Sequence, residues 1–247
     1  MSFERLSGTG IAAEPALAPR VTEAGTTGEA TPAMRLQILS TEHWSLLASR
    51  SLAWNESFSR AGMFLTTLTG AIVALALVAQ ASAFGEGFTL FALVILPVVL
   101  FIGVTTGMRL GASNYHDARC VVGMNRIRAA YLELAPDLER YFVMSAHDDA
   151  EGIGISMGVP PAGAMYWIGQ MLAGTPTVVM ILNAVLAGAI AAVAAVRFGS
   201  TMSSEVLGFG AAGFVVATVL QALWARSTIS KGISEYRPMF PTPTRDR

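Results

Sequence analysis

Cysteine, lysine and histidine are scarce in this chain of 247 residues: Cys120, Lys231, and His43, His116 and His147 are all there are. A single cysteine excludes an intramolecular disulfide. A free thiol suits a reducing compartment. One lysine, in Ser230-Lys231-Gly232, is no phosphate-binding loop, and no other cofactor motif occurs. His116 and Cys120 stand four apart on a helical reading, with no third ligand beside them to complete a metal site. Charge is sparse too: 13% of residues, against about 25% in an average soluble domain. A net charge of −1 gives no sign of nucleic-acid binding, which would require a basic face.

What the chain has instead is long uncharged runs. Between Arg60 and Arg109 the only charged residue is Glu86. Met63–Ala83 and Phe88–Met108 flank it, and each is long enough to cross the roughly 30 Å hydrocarbon layer as a helix. Two further runs, Pro176–Val196 and Val206–Ala225, are separated only by a short stretch holding Arg197 and Glu205. The expectation is an all-α polytopic membrane protein made of two transmembrane helical hairpins with cytoplasmic helical extensions. Pro97 should kink the second span.

The basic residues set the orientation. Five fall in 1–62, five in 109–173, five from Arg226 onward, and only Arg197 in the hairpin turns. An excess of Lys and Arg marks the cytoplasmic side, so both termini and the middle connection are expected there.

Boundaries follow from composition. Residues 1–33 are rich in Gly, Ala, Thr and Pro without apolar periodicity, which predicts a disordered tail. Residues 34–62 predict an amphipathic juxtamembrane helix leading into the first hairpin, 63–108. Residues 109–151 predict a cytoplasmic helical segment, broken at Pro136, with a second short helix over 137–146 and a solvated acidic turn over 147–151. The Gly- and Pro-rich stretch 152–173 predicts a short interfacial helix at Met165–Leu172, with a re-entrant loop or a fifth span as alternatives. The second hairpin occupies 174–225, and 226–247 form a cytoplasmic tail.

Within 34–62, Trp44, Leu47, Trp54 and Phe58 recur at helical spacing, and Met124, Ile127, Tyr131 and Leu134 do so after the second span. Both stripes are too apolar to stand alone in water, which predicts that the two helices pack as an antiparallel pair. In the second hairpin, Ala184, Gly188 and Ala192 repeat every four residues, as do Gly213 and Ala217. Small residues so spaced let helices approach closely in lipid, and here they predict a contact with the first hairpin or with a neighbouring subunit. Polar residues in the spans are few. Thr66, Thr69, Asn183 and Gln221 either hydrogen-bond between helices or line a weakly selective path.

Catalytic patterns fail. Gly154-Ile155-Ser156-Met157-Gly158 fits the nucleophile-elbow spacing, but all three histidines precede it and no strand pattern leads into it. The chain is therefore read as a non-enzyme.

The run Thr41-Glu42-His43-Trp44-Ser45-Leu46-Leu47 resembles the juxtamembrane helix of uncharacterised bacterial multi-span membrane proteins. The layout of helix, two spans and cytosolic helix over Arg35–Tyr141 resembles the SLATT families of membrane effectors. The first resemblance implies a bacterial inner-membrane location. The second implies a homo-oligomeric, channel-like or pore-forming protein controlled by its cytoplasmic helices. The competing expectation is a scaffold or accessory subunit that binds a protein partner. In either case the lipid bilayer is the surrounding phase.

Overall fold

The computed structural model describes residues 30–159, 174–234 and 236–243. Residues 1–29 and the expected interfacial helix at 165–172 lie outside them. Among the described residues the regular elements are all helical, with no strand: α1 (Pro32–Ser82), α2 (Glu86–Leu134), a 3-10 turn (Pro136–Tyr141), α3 (Ala150–Ser156), α4 (Thr175–Arg197) and α5 (Ser203–Ser234). Four of these, α1, α2, α4 and α5, are long and apolar enough to cross a membrane.

The juxtamembrane helix and the first span are one uninterrupted helix. α1 runs for 51 residues, about 76 Å at 1.5 Å each. No proline interrupts it after its first residue, and its two internal glycines, Gly62 and Gly70, are tolerated. α2 is likewise continuous for 49 residues and passes through Pro97 without ending. Between them the chain reverses in three residues, with Ala83 and Phe84 both at positive φ. The Phe84 amide reaches back to the Ala79 carbonyl at 3.1 Å, and that of Gly85 to Ser82 at 2.8 Å, which satisfies the helix end. So short a turn makes α1 and α2 antiparallel neighbours along their whole length.

The inward seam of α1 is His43, Leu46, Arg50, Ala53, Ser57, Ala61, Phe64, Leu68, Ala71 and Leu75, each buried or half-buried. Steps of three and four alternate along it, with one extra step of four at Ser57–Ala61. That is a coiled-coil period of 3.5 with a local slip. α2 answers with Thr89, Ala92, Leu96, Val99, Gly103, Thr106 and Leu110, then Asp117, Cys120, Met124 and Ile127, all buried.

α4 packs on α2, and α5 packs on α4 and touches α2. Phe64, Val99 and Val179 are fully buried and fill the middle of the bundle. Both hairpin turns lie at one end, where Arg197 faces Glu86 at 3.7 Å. The other end carries the start of α1, the end of α2, α3 and the segment after α5, and is called the basic end below.

The small residues of the second hairpin meet each other, not the first hairpin. A Cβ on Gly188 would lie 2.8 Å from the Gly210 carbonyl oxygen, and one on Gly213 would lie 2.8 Å from the Ala191 Cβ. Ala184 and Gly188 are buried, Ala192 lies 3.5 Å from where a Gly210 Cβ would stand, and Ala217 is half-buried on the same side. The turn at 198–202 is short enough to hold α4 and α5 together, so this face is consumed within one chain. Gly188→Leu is therefore expected to lower the thermal midpoint of the detergent-solubilised protein, at a cost of about 3 kcal/mol from overpacking, without changing its native mass. A changed mass with an unchanged midpoint would place this face between subunits after all.

Three further expectations change. The helix over 137–146 is a 3-10 turn that ends at Tyr141, because Pro136 starts it but no apolar face holds a longer helix. The acidic turn 147–151 is not solvated: Asp148 is fully buried and Asp149 caps α3. The stretch expected as a tail from 226 begins as helix, since α5 continues to Ser234, and residues 236–243 return to the basic end.

Candidate functional site

Beyond the spans, α1 and α2 continue as a paired stalk held by polar as well as apolar contacts. Arg50 Nε and Nη2 both donate to the buried Asp117 carboxylate, and Trp54 Nε1 donates to its Oδ1 at 3.1 Å. Fork-on-carboxylate geometry of this kind fixes register as well as adding energy. One layer nearer the membrane, Glu56 accepts from Arg109 Nη2 and Nε, at 2.9 and 3.0 Å, and from Arg60 Nε at 2.9 Å. The hydrogen bond from Arg109, then that from Arg60, holds the Glu56 carboxyl down at about 2. One layer further out, Leu46 lies over Gly123, and the His43 ring stacks on Tyr131 with centroids 6.2 Å apart. Burial, then the nearby Arg128, pushes the His43 pKa down.

The stalk ends in a polar hub. Asn125 is fully buried in α2. Its Nδ2 donates to the carbonyls of His147 at 2.7 Å and Gly152 at 3.3 Å, while its Oδ1 accepts from Arg128 Nη1 at 2.6 Å and Ser156 Oγ at 2.8 Å. Ser156 is thus the last residue of a helix, bonded to an asparagine. The strand–turn–helix of a nucleophile elbow is not formed at 154–158.

Next to the hub the chain latches onto itself. Asp148 accepts from the Phe240 amide at 2.8 Å, the Met239 amide at 3.0 Å and Arg126 Nε at 2.8 Å. Its own amide donates to the Phe240 carbonyl, and Tyr236 donates its hydroxyl to the Asp148 carbonyl at 2.6 Å. Asp149 caps α3 at the Gly152 amide and also accepts from the amide and hydroxyl of Thr242. Arg126 lies over the Tyr236 ring, 5.9 Å from its centroid. Burial alone would raise the Asp148 carboxyl. The amides of Met239 and Phe240 and the Arg126 guanidinium outweigh it and hold it at about 2. Two adjacent carboxylates thereby bind the segment 236–243 through its backbone.

In the membrane, one polar layer joins three helices. Asn183 of α4 is buried and donates from Nδ2 to Gln221 Oε1 of α5 at 3.3 Å. Gln221 Nε2 donates to the carbonyls of Met180 and Ala217. The Asn183 Oδ1 has no donor and occupies the space that Gly103 of α2 leaves by having no side chain. Thr66, Thr67 and Thr69 are exposed, and each hydroxyl donates to the carbonyl four residues earlier. They do not join Asn183 in a path through one chain.

The two sequence stripes fare unequally. Met124 and Ile127 are buried and Tyr131 is half-buried in the seam, with Leu134 exposed at its end. The pair is antiparallel and lies within one chain. The packing face of α1, however, is not Trp44, Leu47, Trp54 and Phe58. These remain 68%, 42%, 42% and 58% exposed. His43, Leu46, Arg50 and Ser57 take the interface instead, because it is narrow and polar, and only Trp54 reaches in, through its ring N–H.

The residues missed from sequence are Asn125, Arg126, Asp148, Asp149, Tyr236 and Thr242. Asp149, three residues before Gly152, carried an N-cap signal. The others carried none. His116 lies 3.6 Å from Cys120 Sγ, and no group of three or more metal-ligating residues occurs among the described residues. Burial pushes the Cys120 thiol up. Compared with protein-family models, with curated proteins and with solved structures, the chain matches none.

Proposed function

We propose that the protein is a non-catalytic assembly protein of the bacterial cell membrane, with both termini cytoplasmic, whose stalk presents a docking face. The observation that carries this reading is the exposed stripe Trp44, Leu47, Trp54 and Phe58 on a helix that is continuous with a membrane span. Trp44 lies sixteen residues before Arg60, about 24 Å along a straight helix. That is beyond the headgroup layer into which interfacial tryptophans settle. The stalk cannot lie flat on the lipid without breaking its pairing with α2. A large apolar face in water marks a surface that meets protein.

The orientation has its own test. Reporters fused after Arg247, or inserted near Arg119, are expected to read cytoplasm, and one inserted at Glu86 to read the outside. An external signal at Arg247 would reverse the scheme.

A second reading, the one the SLATT resemblance implies, is a homo-oligomeric pore. Thr66, Thr67, Thr69 and Gly70 favour it, as small and polar residues exposed on α1 within the span. Phe64, Val99 and Val179 occupy the centre of the chain, so a lumen would have to run between copies. Their own backbone already satisfies the threonine hydroxyls, which weighs against this reading. Purified protein in liposomes is expected to pass no more monovalent ion than empty liposomes do. A protein-dependent flux would make the pore the function.

A further inference from the structure

The exposed stripe on the stalk does not stop at the membrane. Trp44, Leu47, Ser51, Trp54, Phe58, Gly62, Leu65, Thr69, Ile72 and Ala76 are each one residue beyond the corresponding member of the α1–α2 seam, and every one is exposed. The stripe therefore repeats the seam's steps of three and four, including the slip, at a face rotated by about 100°. It is a second packing seam along α1 with no occupant among the described residues. None of its ten residues is charged. Its lower half stands in water and carries bulky side chains. Its upper half stands in lipid and mixes Leu65 and Ile72 with the smaller Gly62, Thr69 and Ala76, with nothing within 4 Å of where a Gly62 side chain would be.

Continuity across the boundary limits what can cover it. A soluble partner reaches only Trp44 to Phe58, and lipid reaches only Gly62 to Ala76. A single occupant must itself be a helix that crosses the membrane and extends at least 24 Å below it. α1 is such a helix, and a second copy in the same bilayer necessarily runs parallel to the first. Identical uncharged stripes meet across a two-fold axis without like-charge repulsion, with Ser51 facing Ser51 and Thr69 facing Thr69. The four large side chains of the lower half expose on the order of 400 Å² per chain, about half of one partner's share in a standard interface. The membrane half supplies the remainder.

Resting on the assembly reading above, we infer that the occupant is a second copy of this chain, and that the protein is a parallel two-fold dimer packed α1 against α1 along this stripe.

Single cysteines in a Cys120→Ser background test it in native membranes. Trp44→Cys, Leu47→Cys and Leu65→Cys are expected to give disulfide-linked dimers under mild oxidation, while Ser45→Cys and Ser59→Cys, exposed but off the stripe, do not. Phe58→Glu, at a surface position that does not threaten the fold, is expected to shift the native mass of the purified protein from dimer to monomer. Equal crosslinking on and off the stripe would mean random collision and overturn the inference. A wild-type monomer with no crosslink at any stripe position would also overturn it. In that case a photo-crosslinker at Trp44 separates the two levels of the argument. Capture of a different protein leaves the assembly function standing without the dimer, and capture of nothing removes both.

Discussion

Gly103→Ala is expected to cost about 2–3 kcal/mol of stability, more than an alanine usually does in a membrane helix. The added methyl would overlap the Asn183 carboxamide oxygen and would lie 2.7 Å from the Phe64 ring. Three helices meet at that point: Phe64 from α1, Gly103 from α2 and Asn183 from α4. None can retreat easily. Phe64 is fully buried, and Asn183 is tied to Gln221. The check is the thermal midpoint in detergent, with a double-mutant cycle. Asn183→Ala opens room for the methyl but leaves Gln221 short of a donor, so Gly103→Ala should cost less in that background than in the wild type. An unchanged midpoint for Gly103→Ala alone would mean that the three helices are not packed at this layer.

Asp148→Ala is expected to release residues 236–243 and to cost on the order of 3 kcal/mol. It removes the shared acceptor of two backbone amides and of Arg126 Nε. Rapid hydrogen exchange at Met239 and Phe240 would report the release, and the spans should keep their helicity. The pH dependence follows from the depressed carboxyl. The folded value of about 2 lies below the ordinary 3.8, so the contribution is fully present above about pH 4 and is lost as the pH falls towards 2. At neutral pH the shift corresponds to roughly 2 kcal/mol. Acid should therefore free Met239 and Phe240 in the wild type and make little further difference to their exchange in Asp148→Ala, where only the Asp149 contact with Thr242 is left to titrate. Slow exchange at Phe240 in the variant would mean that the latch does not depend on the carboxylate.

The spans were legible because a bilayer imposes a length and a charge pattern that local sequence must obey. The residues bounding them, Arg60, Glu86 and Arg109, are also the residues that end the uncharged runs. Pairing of the first two helices was legible from the brevity of the turn between them. The face used on α1 was not. Two stripes one residue apart both recur at helical spacing, and the bulkier one reads as the core. In the stalk the true seam is His43, Arg50 and Ser57, polar residues that a sequence assigns to solvent until Asp117 and Tyr131 are brought opposite. The latch was illegible for a different reason. Asp148 binds backbone amides more than ninety positions away, and an amide leaves no mark on the sequence.

That separation gives the latch a place in time. Asp148 leaves the ribosome with the stalk, whereas Met239 and Phe240 follow only after the whole second hairpin has been translated. Until they arrive, Arg126 is the carboxylate's one side-chain partner in the latch. The closing bonds can form only on the side of the bilayer where Asp148 stands, so a chain in which just one of α4 and α5 crosses cannot make them. A chain whose second hairpin goes in upside down, or only half crosses, delivers residues 236–243 to the wrong face of the bilayer and leaves Asp148 and Asp149 open. The latch is therefore a contact that closes late: two acidic side chains, made early, meet backbone amides that are made only after the last crossing.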